Sequence, residues 1–181
     1  SREEEEAHIA EQDEQQKLQG YLRSQGAKLS AEQIRDRIQE AADEFLGIVR
    51  DVSESVTRRS PAPGEWSLAE ILDHVIHTHE RITRVIDGLV AGRKPGAPLE
   101  SSATCGIAGL PWQDLLGRLQ RSQSALSALL TANRHEPNAD LRVPEGYFGD
   151  VSWKEYALIL RLHYKDHAGQ ARKTLEALQA T

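Results

Sequence analysis

Histidine is the residue type whose placement in this 181-residue chain points to chemistry, because five of the seven histidines lie in two short segments. His74, His77 and His79 form one group, and His163 and His167 form the other. On an α-helix, residues four positions apart project from the same face about 6 Å apart along the axis. His163 and His167 can therefore present two imidazole nitrogens to one metal ion, with a third ligand supplied by another helix.

An HxxxH pair alone is more often two amphipathic side chains at the edge of a core, so its position on the helix matters. At 100° per residue, His163 and His167 fall in the arc of Leu160 and Ala171, which predicts that both face the interior. Imidazoles placed on an apolar stripe need partners for their ring nitrogens, and a shared metal ion satisfies one nitrogen of each.

The three histidines of the earlier segment differ in their predicted positions. His74 lies at the flank of the apolar stripe of its helix. His77 points away from the core, which predicts a solvated side chain, and His79 lies nearer the centre of the stripe. We interpret His79 as a core histidine that is hydrogen-bonded to backbone or water.

Four long helices with one apolar stripe each are predicted to position these residues. Capping boxes begin the first helix at Ser30 and the second at Ser67, Pro111 opens the third, and the fourth runs from about residue 152 to 178. No segment alternates with the period of a strand over a useful length, so we predict an all-α fold, a four-helix bundle. The loop of residues 92–110 is long enough to run back along a helix, which predicts a crossover between the second and third helices.

The chain divides into a polar acidic N-terminal extension, residues 1–28, and a bundle domain, residues 29–181. Residues 1–20 carry seven acidic and two basic side chains and little apolar surface. We interpret the extension as dispensable, in preference to a partner-binding helix, and expect the bundle to stay folded when residues 1–24 are deleted.

Composition excludes several classes of function. The formal net charge is −6 and the body of the chain is close to neutral, so it lacks the basic surplus that nucleic-acid binding requires. No apolar run is long enough for a membrane span. Cys105 is the single cysteine and no charged-then-apolar leader opens the sequence, which together predict a reducing, cytoplasmic location.

Three sequence segments resemble the DinB-like (DinB/YfiT) superfamily of metalloenzymes over about residues 30–178. They are residues 63–74 (PGEWSLAEILDH), Phe148 and Gly149 shortly before Trp153, and residues 163–170 (HYKDHAGQ). The resemblance implies that His74, His163 and His167 hold a divalent metal ion, zinc or nickel, within a four-helix bundle. The additional His77 and His79 depart from the family pattern and leave the choice of the ligand on the second helix open.

Three imidazoles leave a coordination position for water or substrate, so the pattern favours a metal-dependent enzyme. The resemblance implies a small-molecule substrate and a transferase or isomerase that uses a low-molecular-weight thiol, with a hydrolase-like metalloenzyme as a further possibility. The alternative is a non-catalytic, stress-associated, metal-binding homodimer. Cys105 is interpreted as incidental because no base is placed beside it. Asp73 and Glu80 are interpreted as surface residues, Glu70 as a capping acid, and Asp166 as either a surface residue or one that acts on the site through a neighbour. The aromatic residues are interpreted as packing at the ends of the bundle, with a wall of a pocket above the metal as the alternative for any of them: Trp66, Trp112, Phe148 and Trp153.

Overall fold

The computed structural model describes residues 1–95 and 103–180. Along the chain, its helices and strands are α1 (Arg2–Lys28), α2 (Ala31–Val49), α3 (Glu54–Thr57), α4 (Leu68–Val90), α5 (Trp112–Ala132), β1 (Val143–Glu145), β2 (Gly149–Val151) and α6 (Trp153–Gln179). Helices α2, α4, α5 and α6 form the bundle, and α1 packs on the outside of α6. The predicted all-α, four-helix-bundle fold is confirmed.

Serine caps fix where three of the bundle helices begin. Ser30 accepts a hydrogen bond from the backbone of Gln33 at 3.1 Å and donates its own N–H to the Gln33 side chain at 2.9 Å, so the predicted capping box forms. Ser152 and Glu155 form a second box at the start of α6. At Ser67 only the hydroxyl half forms, with Oγ accepting from the Glu70 N–H at 3.2 Å.

The predicted crossover is confirmed by the directions of α4 and α5. Asp73, near the start of α4, is hydrogen-bonded to Ile107 just before α5, and Glu80 further along α4 pairs with Arg118 of α5. The two helices therefore run in the same direction, as a crossover connection requires. Residues 96–102 of this connection lie outside the described residues.

The apolar stripes meet in one core. Its largest fully buried side chains include Trp112 and Trp153, which begin α5 and α6 and confirm the prediction of packing at the helix ends. Trp66 and Phe148, from the same prediction, are only half-buried and pack against the edge of this core. No helix in the described ranges combines the length and apolarity needed to cross a membrane.

The N-terminal extension is helical, and only its second half is anchored. The hydroxyl of Tyr21 accepts a hydrogen bond from Arg161 at 2.6 Å, and Leu22 is 1% exposed. Gly26 lies so close to α6 that a Cβ there would stand 2.9 Å from the side chain of Glu155. The first fourteen residues are exposed on every side.

The segment predicted as a loop between α5 and α6 contains a short antiparallel hairpin, β1 and β2. Each strand has three residues, too few for an alternating pattern to stand out in sequence. Arg142 joins the hairpin to α6 through Glu155, with N–O distances of 2.8 and 3.1 Å.

Candidate metal centre

The fold brings His74, His163 and His167 together at the contact between α4 and α6. His163 and His167 occupy successive turns of α6, and His74 faces them from the second turn of α4. The Nε2 atom of His163 lies 2.9 Å from Nε2 of His74 and 3.1 Å from Nε2 of His167. One nitrogen from each ring lies within 4.8 Å of the other two, so these histidines form a group that could hold a metal ion.

The outer nitrogens of two of these rings face hydrogen-bond acceptors. His74 Nδ1 contacts the backbone carbonyl oxygen of Ala103, and His167 Nδ1 lies 2.6 Å from Oε1 of Gln170. A carbonyl oxygen can only accept a hydrogen bond, so the ring nitrogen that faces it must carry a proton. Both rings therefore have their proton on Nδ1, and the lone pairs of their Nε2 atoms point towards the centre of the group. This is the arrangement in which a second partner orients a metal-ligating histidine.

The donor set fits a divalent ion. With metal–nitrogen bonds of about 2.0–2.1 Å and tetrahedral angles, ligand nitrogens stand about 3.3 Å apart. The two separations that involve His163, 2.9 and 3.1 Å, are close to that value, and the nitrogens of His74 and His167 lie within 4.8 Å of each other. Lone pairs that converge at such distances repel one another unless a proton or a cation lies between them, and a cation can be shared by all three.

Burial keeps two of the rings neutral, which is the state that binds metal. Desolvation, together with the neighbouring imidazoles of His167 and His74, lowers the pKa of His163 to about 2. Desolvation also lowers the pKa of His167, against the opposing effect of its bond to Gln170. The Nδ1 atom of His163 is buried and has no hydrogen-bond partner among the described residues.

His77 and His79 do not join the group. The prediction that His77 is solvated is wrong, because its side chain is half-buried and its Nε2 atom is buried. Helical periodicity alone could not predict this burial. His79 is a core histidine as predicted. Its partner is a side chain, since Nδ1 lies 2.8 Å from the hydroxyl of Tyr164. Burial lowers the pKa of His79 to about 4.

Asp73 and Glu80 correct the prediction that both are surface residues. Asp73 is 1% exposed, and its carboxylate accepts hydrogen bonds from the segment of residues 105–108. Glu80 is half-buried and forms an ion pair with Arg118 at 2.8 Å. Neighbours distant in sequence cover both carboxylates, so the pattern of their own helix does not reveal them. Asp166 is exposed, as predicted.

Cys105 is held as a thiol. Its sulfur lies 3.2 Å from Oδ1 of Asp73, and burial together with this carboxylate raises its pKa to about 11. A protonated thiol is a poor nucleophile, in agreement with the interpretation of Cys105 as incidental.

A groove lies on the side of the loop before α4 and is lined by two residues that contact the histidines, while none of the three histidines lines it. Its volume is about 700 Å³, and its lining includes Trp66 and Gln170. The ring of Trp66 packs on His74 with a centroid distance of 5.1 Å, while Gln170 binds His167. Sequence reasoning missed Gln170, although its position three residues after His167 on one helix face is a signal that could have found it.

Comparison with known proteins assigns the chain to a family. The DinB superfamily sequence model matches residues 13–171, and no curated protein matches the sequence. The crystal structure of TT2238, a four-helix bundle protein, superimposes with a TM-score of 0.59 and 16% identity over 84% of this chain and 100% of that one. At that identity the likeness concerns the fold alone. The match to the superfamily spans most of the sequence, and the chain belongs to the DinB superfamily.

Proposed function

We propose that His74, His163 and His167 bind one divalent ion, zinc or nickel, and that the protein is a metal-dependent transferase that joins a low-molecular-weight thiol to an electrophilic small molecule. The observation that carries the proposal is the convergence of three Nε2 atoms, two of them on rings whose Nδ1 faces an acceptor. Membership of the DinB superfamily supports it.

An ion held by three neutral imidazoles lowers the pKa of a thiol or water in its remaining coordination position. Structural zinc sites use four protein ligands as a rule, whereas this group has three among the described residues. The proposed reaction forms a carbon–sulfur bond between the thiol and the electrophile. The thiol proton passes to solvent, and in a displacement the leaving group departs with its bonding electron pair.

The residues of the chain have distinct tasks in this proposal. Ala103 and Gln170 orient His74 and His167, so the donor atoms are set before a metal ion binds. The groove beside Trp66 has the volume of a small-molecule site. Loops held by a rigid scaffold commonly carry specificity, so we propose that the connections of residues 92–110 and 134–150 determine which thiol and which acceptor are used.

The proposal is tested first by metal binding and then by thiol chemistry. Metal-free protein is titrated with Co²⁺, followed by a panel of low-molecular-weight thiols, and electrophilic acceptors are added while thiol loss is measured. We expect a sulfur-to-cobalt charge-transfer band and metal-dependent consumption of the acceptor. His163→Ala should lose both responses, whereas His135→Ala, which removes an exposed histidine elsewhere, should retain them.

Two results would count against the proposal in different ways. If the protein binds cobalt but no thiol changes its spectrum and no acceptor is consumed faster than with His163→Ala, the transferase is wrong and a non-catalytic metal-binding bundle becomes the better account. If cobalt does not bind at all, the metal centre itself is wrong.

A further inference from the structure

The carboxylate of Asp73 is buried against the chain segment that precedes α5. Its Oδ1 accepts from the backbone N–H of Cys105 at 2.8 Å, and its Oδ2 accepts from the N–H groups of Ile107 and Ala108 at 2.9 and 3.1 Å. The Asp73 side chain is buried, with 1% of its surface exposed. Backbone donors therefore compensate a buried charge, which makes this a strong attachment of the segment to α4.

The chain just before residues 105–108 supplies the hydrogen-bond acceptor for His74, which follows Asp73 in α4. The carbonyl oxygen of Ala103, two positions before Cys105, is the partner of His74 Nδ1. Ala103 is itself exposed, so packing of its own side chain does not hold that carbonyl in place. The attachment at Asp73 begins at Cys105, two positions after Ala103 in the chain.

We propose that Asp73 is a positioning residue of the metal centre: by fixing residues 105–108 it places the Ala103 carbonyl, which in turn sets the tautomer and ring orientation of His74. This inference rests on the metal site of the proposed function and is independent of thiol transfer. Loss of a hydrogen-bond partner of a metal-ligating histidine typically lowers metal affinity about 10- to 100-fold. Asp73 acts one step further out, so we expect an effect of about tenfold.

Asp73→Asn is the first test. The amide keeps the size of the side chain but turns an N–H₂ group towards backbone donors, so about half of the attachment is lost. Long-range ¹H–¹⁵N spectra of the metal-free protein report the tautomer of His74, and we expect the Nδ1–H form to give way to a mixture. The dissociation constant for Co²⁺ should rise about tenfold, and the visible spectrum of bound Co²⁺ should change shape.

Glu80→Gln is the matched control, because Glu80 is also a carboxylate on α4 and is half-buried. Unlike Asp73, which binds residues 105–108, Glu80 binds Arg118 and Ser122 within α5 itself. It should lower the melting temperature without changing the His74 tautomer or the cobalt spectrum. If Asp73→Asn behaves in the same way, losing stability alone, Asp73 is structural and the inference is wrong.

Insertion of one glycine between Thr104 and Cys105 keeps the proposal testable if Asp73→Asn does not fold. The insertion leaves Asp73 and its donors intact but uncouples them from the Ala103 carbonyl. It should reproduce the mixed tautomer and the tenfold loss of affinity, and unchanged values would overturn the inference. If the unaltered protein binds no cobalt, the proposed function fails, while the tautomer measurement on metal-free protein still tests the link between Asp73 and His74.

Discussion

His163 is the central member of the histidine group, since its Nε2 contacts the Nε2 atoms of both other rings. Replacing it with alanine removes one ligand and leaves two nitrogens on different helices. We expect His163→Ala to lose stoichiometric metal, as measured by elemental analysis after exhaustive dialysis.

His77 provides the comparison, because it lies three residues from His74 and outside the group. His77→Ala should keep a full equivalent of metal. Retention of metal by His163→Ala would show that the assigned site is wrong, and loss from His77→Ala without loss from His74→Ala would make His77 the ligand on α4.

His79 makes the stability of the fold depend on pH. Burial lowers its pKa in the native state to about 4, whereas the ordinary value in an unfolded chain is about 6.5. As pH falls from 6.5 to 4, the unfolded state takes up a proton that the native state does not, so the free energy of unfolding decreases by up to about 1.4 kcal/mol per pH unit.

His79→Gln should remove this contribution. The measurement is the free energy of unfolding in urea of both metal-free proteins at pH 7, 6 and 5. As the pH falls, this free energy should decrease less for His79→Gln than for the wild type. His135→Gln, at an exposed position, should follow the wild type. A difference for His79→Gln that stays constant with pH would mean that His79 is protonated equally in both states.

The residues that sequence patterns could identify are those that share a helix face. His163 and His167 could be paired from their spacing, and His79 could be placed in the core from its periodicity. The partners of the ring nitrogens include Ala103, which reaches His74 through a backbone carbonyl 29 positions away. Backbone carbonyl and N–H groups are common to nearly all residue types, so no pattern of residue types could have predicted that contact or the attachment at Asp73.

At the level of elements, α1 combines an exposed half with an anchored half. Residues 1–14 contribute no buried side chain, whereas Tyr21 binds Arg161 and Leu22 enters the core. Complete burial of a leucine side chain stabilises a protein by about 1.5–3 kcal/mol. The low apolar content of the extension concealed this anchor, because only a few residues of α1 form it.

Two truncations separate the halves of α1. Deletion of residues 1–14 should leave the melting temperature unchanged, while deletion of residues 1–24 should leave the bundle folded but less stable by about 2–3 kcal/mol, as measured by circular dichroism during thermal and urea unfolding. Failure of the longer truncation to fold would make α1 an essential fifth helix, and destabilisation by the shorter one would reveal a contact of residues 1–14.

The bundle helices could be predicted because each has a long apolar stripe and a recognisable beginning, such as Ser30 for α2 and Pro111 for α5. The crossover followed from the length of residues 92–110 alone. The β1–β2 hairpin could not be predicted, since three-residue strands depend on tertiary contacts such as the one between Arg142 and Glu155.

For the molecule as a whole, the histidine group joins two helices that are far apart in sequence. His74 and His163 are separated by 89 positions, and an ion shared between them would tie α4 to α6. A ligand that binds only the native state stabilises it by about 2.7 kcal/mol at 100 times its dissociation constant and by about 4.1 kcal/mol at 1,000 times. Metal binding should therefore stabilise the entire bundle as well as organise the site.

Thermal unfolding at increasing Zn²⁺ or Ni²⁺ concentration measures this effect. For a chain of this size, stabilisation by 2.7 kcal/mol corresponds to a rise of about 5–10 °C in melting temperature, relative to protein in chelator. His163→Ala should show no rise because the shared ligand is absent, and His135→Ala should match the wild type. An equal rise in His163→Ala would show that the ion stabilises the bundle from some other surface, and no rise in the wild type would mean that the three imidazoles do not hold a metal in the native state.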